Sequence, residues 1–113
     1  MTTSELIEWF TKRAGRAPEA WDVWKVAKEF FQLGAYSRAL ACLQHYVALP
    51  AATNQGRHLL AYCYLNLGEI EYALREFKKS ARDGYNEDWQ FVVELTFELE
   101  ERNRLERQRE IRA

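Results

Sequence analysis

Apolar residues recur at intervals of three and four along most of the chain, which is the period of an amphipathic α-helix. No stretch shows the sustained alternation of apolar and polar residues that is typical of a half-buried strand. Glycines and polar clusters divide the pattern into six segments, and the short connections favour antiparallel neighbours. The pattern predicts an all-α protein with helices at Ser4–Ala14, Pro18–Leu33, Tyr36–Leu49, Asn54–Leu67, Glu69–Arg82 and from Asn86 onward.

Several residues predict where these helices begin. Pro18 suits a first turn, because the N–H that it lacks would have no intrahelical partner there. Thr53 or Asn54 can cap the fourth helix by accepting a backbone N–H. We expect Asn86 to cap the last helix and the following acidic residues, Glu87 and Asp88, to lie solvated in its first turn, where the helix dipole favours anions. Beyond Glu100 that helix is almost entirely charged, so its last turns are expected to fray.

The stretches LGAYSRAL, 33–40, and LGEIEYAL, 67–74, repeat one pattern at a distance of 34 residues. A glycine occupies each turn, small residues stand where two helices must approach closely, and large apolar residues follow. These pairs are Gly34 and Gly68, Ala27 and Ala61, Ala39 and Ala73, Phe30 and Tyr64, and Leu43 and Phe77. A helix–turn–helix unit of this period is typical of tetratricopeptide repeats. The segments Ala20–Thr53 and Asn54–Glu87 therefore resemble two such repeats.

The resemblance implies a single domain, 1–113, that forms a short right-handed α-solenoid. An N-terminal helix in 1–17 precedes the repeats 20–53 and 54–87, and a capping helix with a charged tail follows in 88–113. The chain departs from the family pattern at three positions of each repeat. The usual aromatic, small residue and closing proline are replaced by Val23, Tyr46 and Ala51 in the first repeat and by Arg57, Ser80 and Tyr85 in the second. We expect the bulk of Tyr46 to distort the packing between the repeats.

In this family the first helix of each pair lines a concave groove, which binds an extended peptide or an amphipathic helix of another protein. The resemblance places Trp21, Trp24, Lys28, Phe31, Gln32, Gln55, His58, Tyr62, Leu65, Asn66, Trp89, Val92 and Thr96 in the groove. Helical spacing independently puts Trp24, Lys28 and Phe31 on one face. An exposed aromatic face of this kind is expected to bind a partner. In two alternative interpretations, the flanking helices bury this face or a second copy of the chain covers it.

Composition and charge narrow the choice of partner. The chain has 113 residues, 48% of them hydrophobic, and a net charge of -1. Without a basic excess, nucleic acid is not the expected ligand. No apolar run approaches the roughly 20 residues that span a bilayer, and the first residues lack the features of a signal peptide. The expected location is therefore the cytoplasm, where Cys42 and Cys63 would be buried, reduced thiols rather than a disulfide or a reactive site.

No arrangement of residues predicts catalysis or metal binding. His45 and His58 share no ligand spacing with the cysteines, and both are expected to be solvated. Trp24 and Leu59 stand where the family's carboxylate-binding variants carry polar residues, which disfavours that type of ligand.

The sequence therefore predicts a non-catalytic adaptor or scaffold without cofactor or metal, which binds another protein. A self-associating assembly subunit, in the simplest case a homodimer, is the alternative. The layout also resembles the mitochondrial membrane-fission adaptor; such proteins end in a membrane anchor, and the stretch RLERQREIRA is no anchor.

Overall fold

The computed structural model describes residues 2–112, and the all-α prediction is confirmed over that range. Its six helices differ from the predicted ones mainly by one or two residues at their ends. They are α1 (Thr3–Ala14), α2 (Ala20–Gln32), α3 (Tyr36–Val47), α4 (Asn54–Asn66), α5 (Ile70–Arg82) and α6 (Asp88–Arg112). None of the helices described is long and apolar enough to cross a membrane.

Each helix from α2 onward packs against the next one along the chain, and α1 packs against α3. The connections α2–α3 and α4–α5 are tight turns, so that each of these pairs forms a helical hairpin. The two hairpins meet where α3 packs on α4, and α6 covers the outer side of α5. The result is a helical arrangement with a repeated hairpin, extended to 61 × 32 × 22 Å.

The two hairpin turns have the same backbone geometry, which explains the repeated glycine. Gly34 and Gly68 have φ angles of 75° and 78°, in the left-handed region that glycine adopts without steric cost. Each N–H donates to the carbonyl three residues earlier at 3.1 Å, and the next N–H reaches five residues back at 2.9 Å. This pair of bonds is a Schellman motif, which closes a helix C-terminus.

Helix α2 begins at Ala20, two residues later than predicted, because other residues determine its start. The Asp22 carboxylate accepts the backbone N–H of Glu19 at 2.9 Å, which is half of a capping box. The Arg16 guanidinium bonds the same carboxylate at 2.8 Å and, with the Glu19 N–H, lowers the pKa of Asp22. Pro18 therefore precedes the helix and does not occupy its first turn.

The core forms where the small residues allow close approach. Ala27, Ala39, Ala61 and Ala73 are fully buried at the hairpin contacts, as the repeat pattern predicts. Around them lie two clusters of buried residues. The first is formed by α1, α2, α3 and α4, and the second by α4, α5 and α6. The first holds Leu6, Val23, Cys42, Leu43, Leu60 and Cys63, and the second holds Phe77, Val92 and Leu95. Both cysteines are buried free thiols, as predicted.

Tyr46 is accommodated by a glycine on the facing helix. A Cβ atom on Gly56 of α4 would overlap the Cδ1 and Cε1 atoms of the Tyr46 ring. The buried ring lies 5.3 Å from that of Trp24, and its hydroxyl accepts the backbone N–H of Thr53 at 3.0 Å. The expected distortion between the hairpins is thus avoided, because Gly56 leaves the space that Tyr46 fills.

Helix α6 differs from the expectation at both ends. It begins at Asp88, and Asn86 accepts the N–H of Trp89 through its backbone carbonyl at 3.1 Å, without a side-chain cap among the bonds described. Its first three turns pack on α5 through Val92 and Leu95. The helix then continues without a break to Arg112, and every residue in 102–112 is exposed.

Candidate functional site

A groove runs between the first helices of the two hairpins, α2 and α4. One cavity of about 270 Å³ is lined by Trp24, Lys28, Gln55, His58, Leu59 and Tyr85. A second, of about 280 Å³, lies next to it and shares Trp24 and Gln55 with the first. It also contains Trp21, whose ring is 63% exposed. We call this surface the α2–α4 groove and define it by Trp21, Trp24, Lys28, Gln55, His58 and Tyr85.

The predicted site residues differ widely in exposure, and only some of them line this groove. Those that are exposed are Trp21, Lys28, Gln32, Gln55, Asn66 and Trp89; those that are half-buried are Phe31, His58, Tyr62, Leu65 and Thr96; those that are buried are Trp24 and Val92. Trp21, Trp24, Lys28, Gln55 and His58 come together around the two cavities. Trp89 and Asn66 lie on other parts of the surface that do not line them.

The expectation that Trp24 is a free aromatic anchor is wrong. Trp24 is only 9% exposed and belongs to the core, because one face of its ring packs against Tyr46. The Lys28 ammonium lies 5.8 Å from the centre of the same ring, within range of a cation–π interaction. Trp24 is therefore a fixed wall of the groove. Val92 of α6 is also buried, against α5, and is a packing residue.

Phe31 and Tyr62 form a seam between α2 and α4, not an exposed patch. Their ring centres are 6.4 Å apart with an edge-to-face orientation, and Tyr36 packs edge-on against Phe31 at 5.6 Å. Contacts of this kind stabilise the association of the two hairpins beyond the area they bury. Part of the predicted aromatic face is therefore structural.

His58 of α4 and Asp88 of α6 form a polar pair between helices. The His58 Nδ1 atom lies 2.7 and 2.8 Å from the two carboxylate oxygens of Asp88. The carboxyl group is fully buried, and the imidazole side chain is only 16% exposed. A buried carboxylate needs a donor to offset its lost hydration, and His58 Nδ1–H provides it. The expectation that both side chains are solvated is wrong.

Aromatic rings enclose this pair and fix one end of the groove. Tyr85 stacks on His58 with ring centres 4.2 Å apart, and Tyr62 meets the imidazole edge-on at 4.8 Å. Burial, followed by the charge of Asp88, raises the pKa of the Tyr62 phenol. Beneath them Phe77 and Phe91 stack at 4.6 Å. Because these contacts join α4, α5 and α6, the groove wall at Tyr85 is held by three elements.

Asp88 and Tyr85 are the residues that sequence reasoning missed. Helical spacing carried one signal, because Asp88 lies four residues before Val92 and seven before Leu95, on the face that becomes buried. An acidic residue on an apolar helix face suggests a buried partner. Tyr85 occupies the position of the family's closing proline, and nothing in the sequence shows that its ring stacks on His58.

The groove offers a mixed chemistry. Lys28 supplies a cation, Gln55 an amide, and Trp21, Trp24 and Tyr85 supply aromatic surface. Within residues 2–112, no group of three histidine, cysteine or acidic side chains is placed to hold a metal ion. Comparison with known proteins gives no matching family model, no matching curated protein and no matching solved structure.

Proposed function

We propose that this protein is a non-catalytic interaction module that binds a peptide or an amphipathic helix of another protein in the α2–α4 groove. The observation that carries the proposal is the groove itself, in which exposed Trp21 and Lys28 line two adjoining cavities that share Gln55. Tryptophan is enriched among residues that dominate binding energy at interfaces. An amphipathic partner would place an apolar side chain against Trp21 and an acidic or polar one near Lys28.

The resemblance to tetratricopeptide repeats supports the same function. The repeated turn at Gly34 and Gly68 and the four buried alanines are the features on which that resemblance depends. In that family the first helices of successive pairs bind the ligand, and α2 and α4 are the corresponding helices here. We therefore propose membership of the tetratricopeptide-repeat class as part of this function.

The shape of the groove favours a segment of protein over a small molecule. Its two cavities, of about 270 and 280 Å³, are open and adjoining. Pockets for drug-sized ligands bury most of the ligand in a larger enclosed volume. A row of shallow side-chain pockets is instead typical of peptide recognition.

Affinity purification with paired variants tests the proposal. The variant Trp21→Ala/Lys28→Glu removes an exposed ring and reverses one charge within the groove. We expect it to weaken partner binding by about 30-fold or more, as truncation of an interface tryptophan does, while the fold is retained because both side chains are exposed. The readout is quantitative mass spectrometry of proteins captured from cells that express the chain.

The matched control is Leu33→Ala/Lys25→Glu, which makes the same two kinds of change on exposed residues outside the groove. Proteins that the control retains and the groove variant loses are the expected partners. If every captured protein is retained equally by both variants, the proposed function is wrong.

A further inference from the structure

Helix α6 has a second apolar face that nothing in the described part of the chain covers. Val92 and Leu95 pack on α5, whereas Val93, Phe97 and Ile111 point away and are 69%, 66% and 83% exposed. Single exposed apolar residues are common on surfaces, but these three share one side of one helix. This face is separate from the α2–α4 groove, which uses no residue of α6.

The outward face continues as a mixed apolar and charged stripe along α6. Starting at Val93, residues separated by four, three, four, three and four positions lie on one stripe. Such spacing averages 3.6 residues, the period of the α-helix, so the stripe runs straight along one side of α6. Three of its positions are apolar and three are charged. We call this stripe the α6 seam; it consists of Val93, Phe97, Glu100, Arg104, Arg107 and Ile111.

The last eleven residues described leave their side of α6 open to a partner helix. Every residue in 102–112 is exposed, so this part of α6 has little tertiary packing within the chain. Most of the stability of a helix in a protein comes from tertiary packing, so this part of α6 is only marginally stable in water on its own. Its ion pair between Glu101 and Arg104, at 3.0 Å, is solvent-exposed and adds little.

The charges of the α6 seam specify the orientation of a second copy. In an antiparallel pair, Val93 lies opposite Ile111, Phe97 opposite Arg107 and Glu100 opposite Arg104, and the two-fold axis repeats each contact. Each of these facing pairs forms one layer of the interface, and each layer is compatible. The Val93–Ile111 layer is apolar, the Phe97–Arg107 layer places a guanidinium on an aromatic ring, and the Glu100–Arg104 layer pairs opposite charges. A parallel pair would instead place Glu100 against Glu100 and each arginine against itself.

We propose that α6 pairs in the antiparallel direction with α6 of a second copy of this chain through the α6 seam, which makes the protein a homodimer. Symmetric pairing through one surface patch is the commonest form of homo-oligomer. The paired segment, from Val93 to Ile111, is about 27 Å long at 1.5 Å per residue. The α2–α4 groove of each copy takes no part, so the dimer and the proposed function are independent.

Sedimentation equilibrium of the full chain tests the dimer. The wild type is expected to have twice the chain mass of 13.4 kDa. Phe97→Lys should produce a monomer, because it replaces the ring that faces Arg107 of the second copy by another cation. Leu105→Lys is the matched control, since Leu105 is exposed on the same helix but off the seam; this variant should stay dimeric. Circular dichroism confirms that each variant remains helical.

Charge reversal tests the orientation. Glu100→Arg and Arg104→Glu should each weaken the homodimer by about tenfold or more, because each places like charges in two layers. Mixed in equal amounts, the two variants should form a one-to-one heterodimer. The double variant Glu100→Arg/Arg104→Glu should recover the wild-type affinity, because it exchanges the charges within the antiparallel layer.

Three results would overturn the proposal. A wild-type monomer from micromolar to millimolar concentration excludes the dimer. A Phe97→Lys variant that dimerises like the wild type places the interface elsewhere. A double variant that stays as weak as the single variants excludes the antiparallel register.

Discussion

At the scale of single residues, Tyr46 and Gly56 show how one departure from the repeat pattern compensates another. Tyr46 occupies a position where the pattern has a small residue, and its ring lies over the Gly56 backbone on the neighbouring helix. The Tyr46 hydroxyl also accepts the N–H of Thr53 at the start of α4. Each residue is unfavourable alone: Tyr46 would clash with a larger residue at 56, and a glycine in a helix costs up to about 1 kcal/mol relative to alanine.

Replacing a helical glycine by alanine usually stabilises a protein, but this pair predicts that Gly56→Ala lowers the free energy of unfolding. Gly56→Ala should destabilise the protein by about 1–3 kcal/mol, because the added methyl group overlaps the Tyr46 ring. In the background Tyr46→Ala, which removes the ring, the same change should instead stabilise by about 1 kcal/mol through helix propensity. Urea denaturation of the four proteins of this cycle measures both values. If Gly56→Ala stabilises both backgrounds, the packing described for Tyr46 is wrong.

Local features of the fold could be predicted from the sequence, whereas this contact could not. The turns at Gly34 and Gly68 follow from a backbone conformation that glycine favours, and the buried alanines follow from helical spacing. The sequence shows that Tyr46 is too large for its position in the repeat pattern. The residue that makes room for it, Gly56, lies ten residues away in another helix. Spacing within one helix does not predict which residue of another helix faces it.

At the scale of elements, the His58–Asp88 pair joins α4 to the first turn of α6. Tyr85 stacks on the imidazole, so that the connection between α5 and α6 is held by the same side chains. The sequence could not predict this pair, because its members are 30 residues apart. Each also has a common solvated alternative, as a surface histidine or as an acidic residue in a first helical turn.

Removal of one member should be costly. His58→Ala leaves the Asp88 carboxylate buried without its donor and should lower the unfolding free energy by about 3 kcal/mol. The control His45→Ala, on α3, removes a half-buried imidazole with no hydrogen bond among those described and should cost less than about 1 kcal/mol. Denaturation at constant pH gives both values. Equal losses for the two variants would contradict the role given to the pair.

At the scale of the whole molecule, the two thiols report on how the hairpins unfold. Burial raises the pKa of Cys42 to about 11, and burial together with the neighbouring Cys42 raises the pKa of Cys63 to about 12. Both side chains are fully buried, one on α3 and one on α4. A thiol reagent should therefore reach either one only after the contact between the two hairpins opens.

We expect both thiols to react at one common rate, equal to that of global opening. Unfolded thiols ionise near pH 8.5, whereas the buried ones keep their protons up to about pH 11 and 12. Deprotonation therefore favours the unfolded state, and stability should fall as the pH rises above about 8.5. The variant Cys42→Ala/Cys63→Ala should lose less stability over this range. Mass spectrometry of labelled protein would contradict this account if one thiol reacted much faster than the other.

The candidate groove was predictable in its location but not in its detail. The resemblance placed it on α2 and α4, where the cavities lie, yet it treated all aromatic positions alike. Trp21 is exposed, Trp24 belongs to the core, and Phe31 and Tyr62 join the hairpins. These differences depend on how α3, α5 and the connection at Tyr85 pack around each ring, which is decided between elements.

The most direct test of the central claim, that the α2–α4 groove binds a partner protein, is site-specific photo-crosslinking in cells that express the chain. A photoreactive phenylalanine derivative replaces exposed Gln55 in the groove or, as control, exposed Leu33 outside it. The account predicts a discrete adduct from position 55 that maps to one segment of one partner, and none from position 33. No adduct from position 55, or the same adducts from both positions, would contradict it.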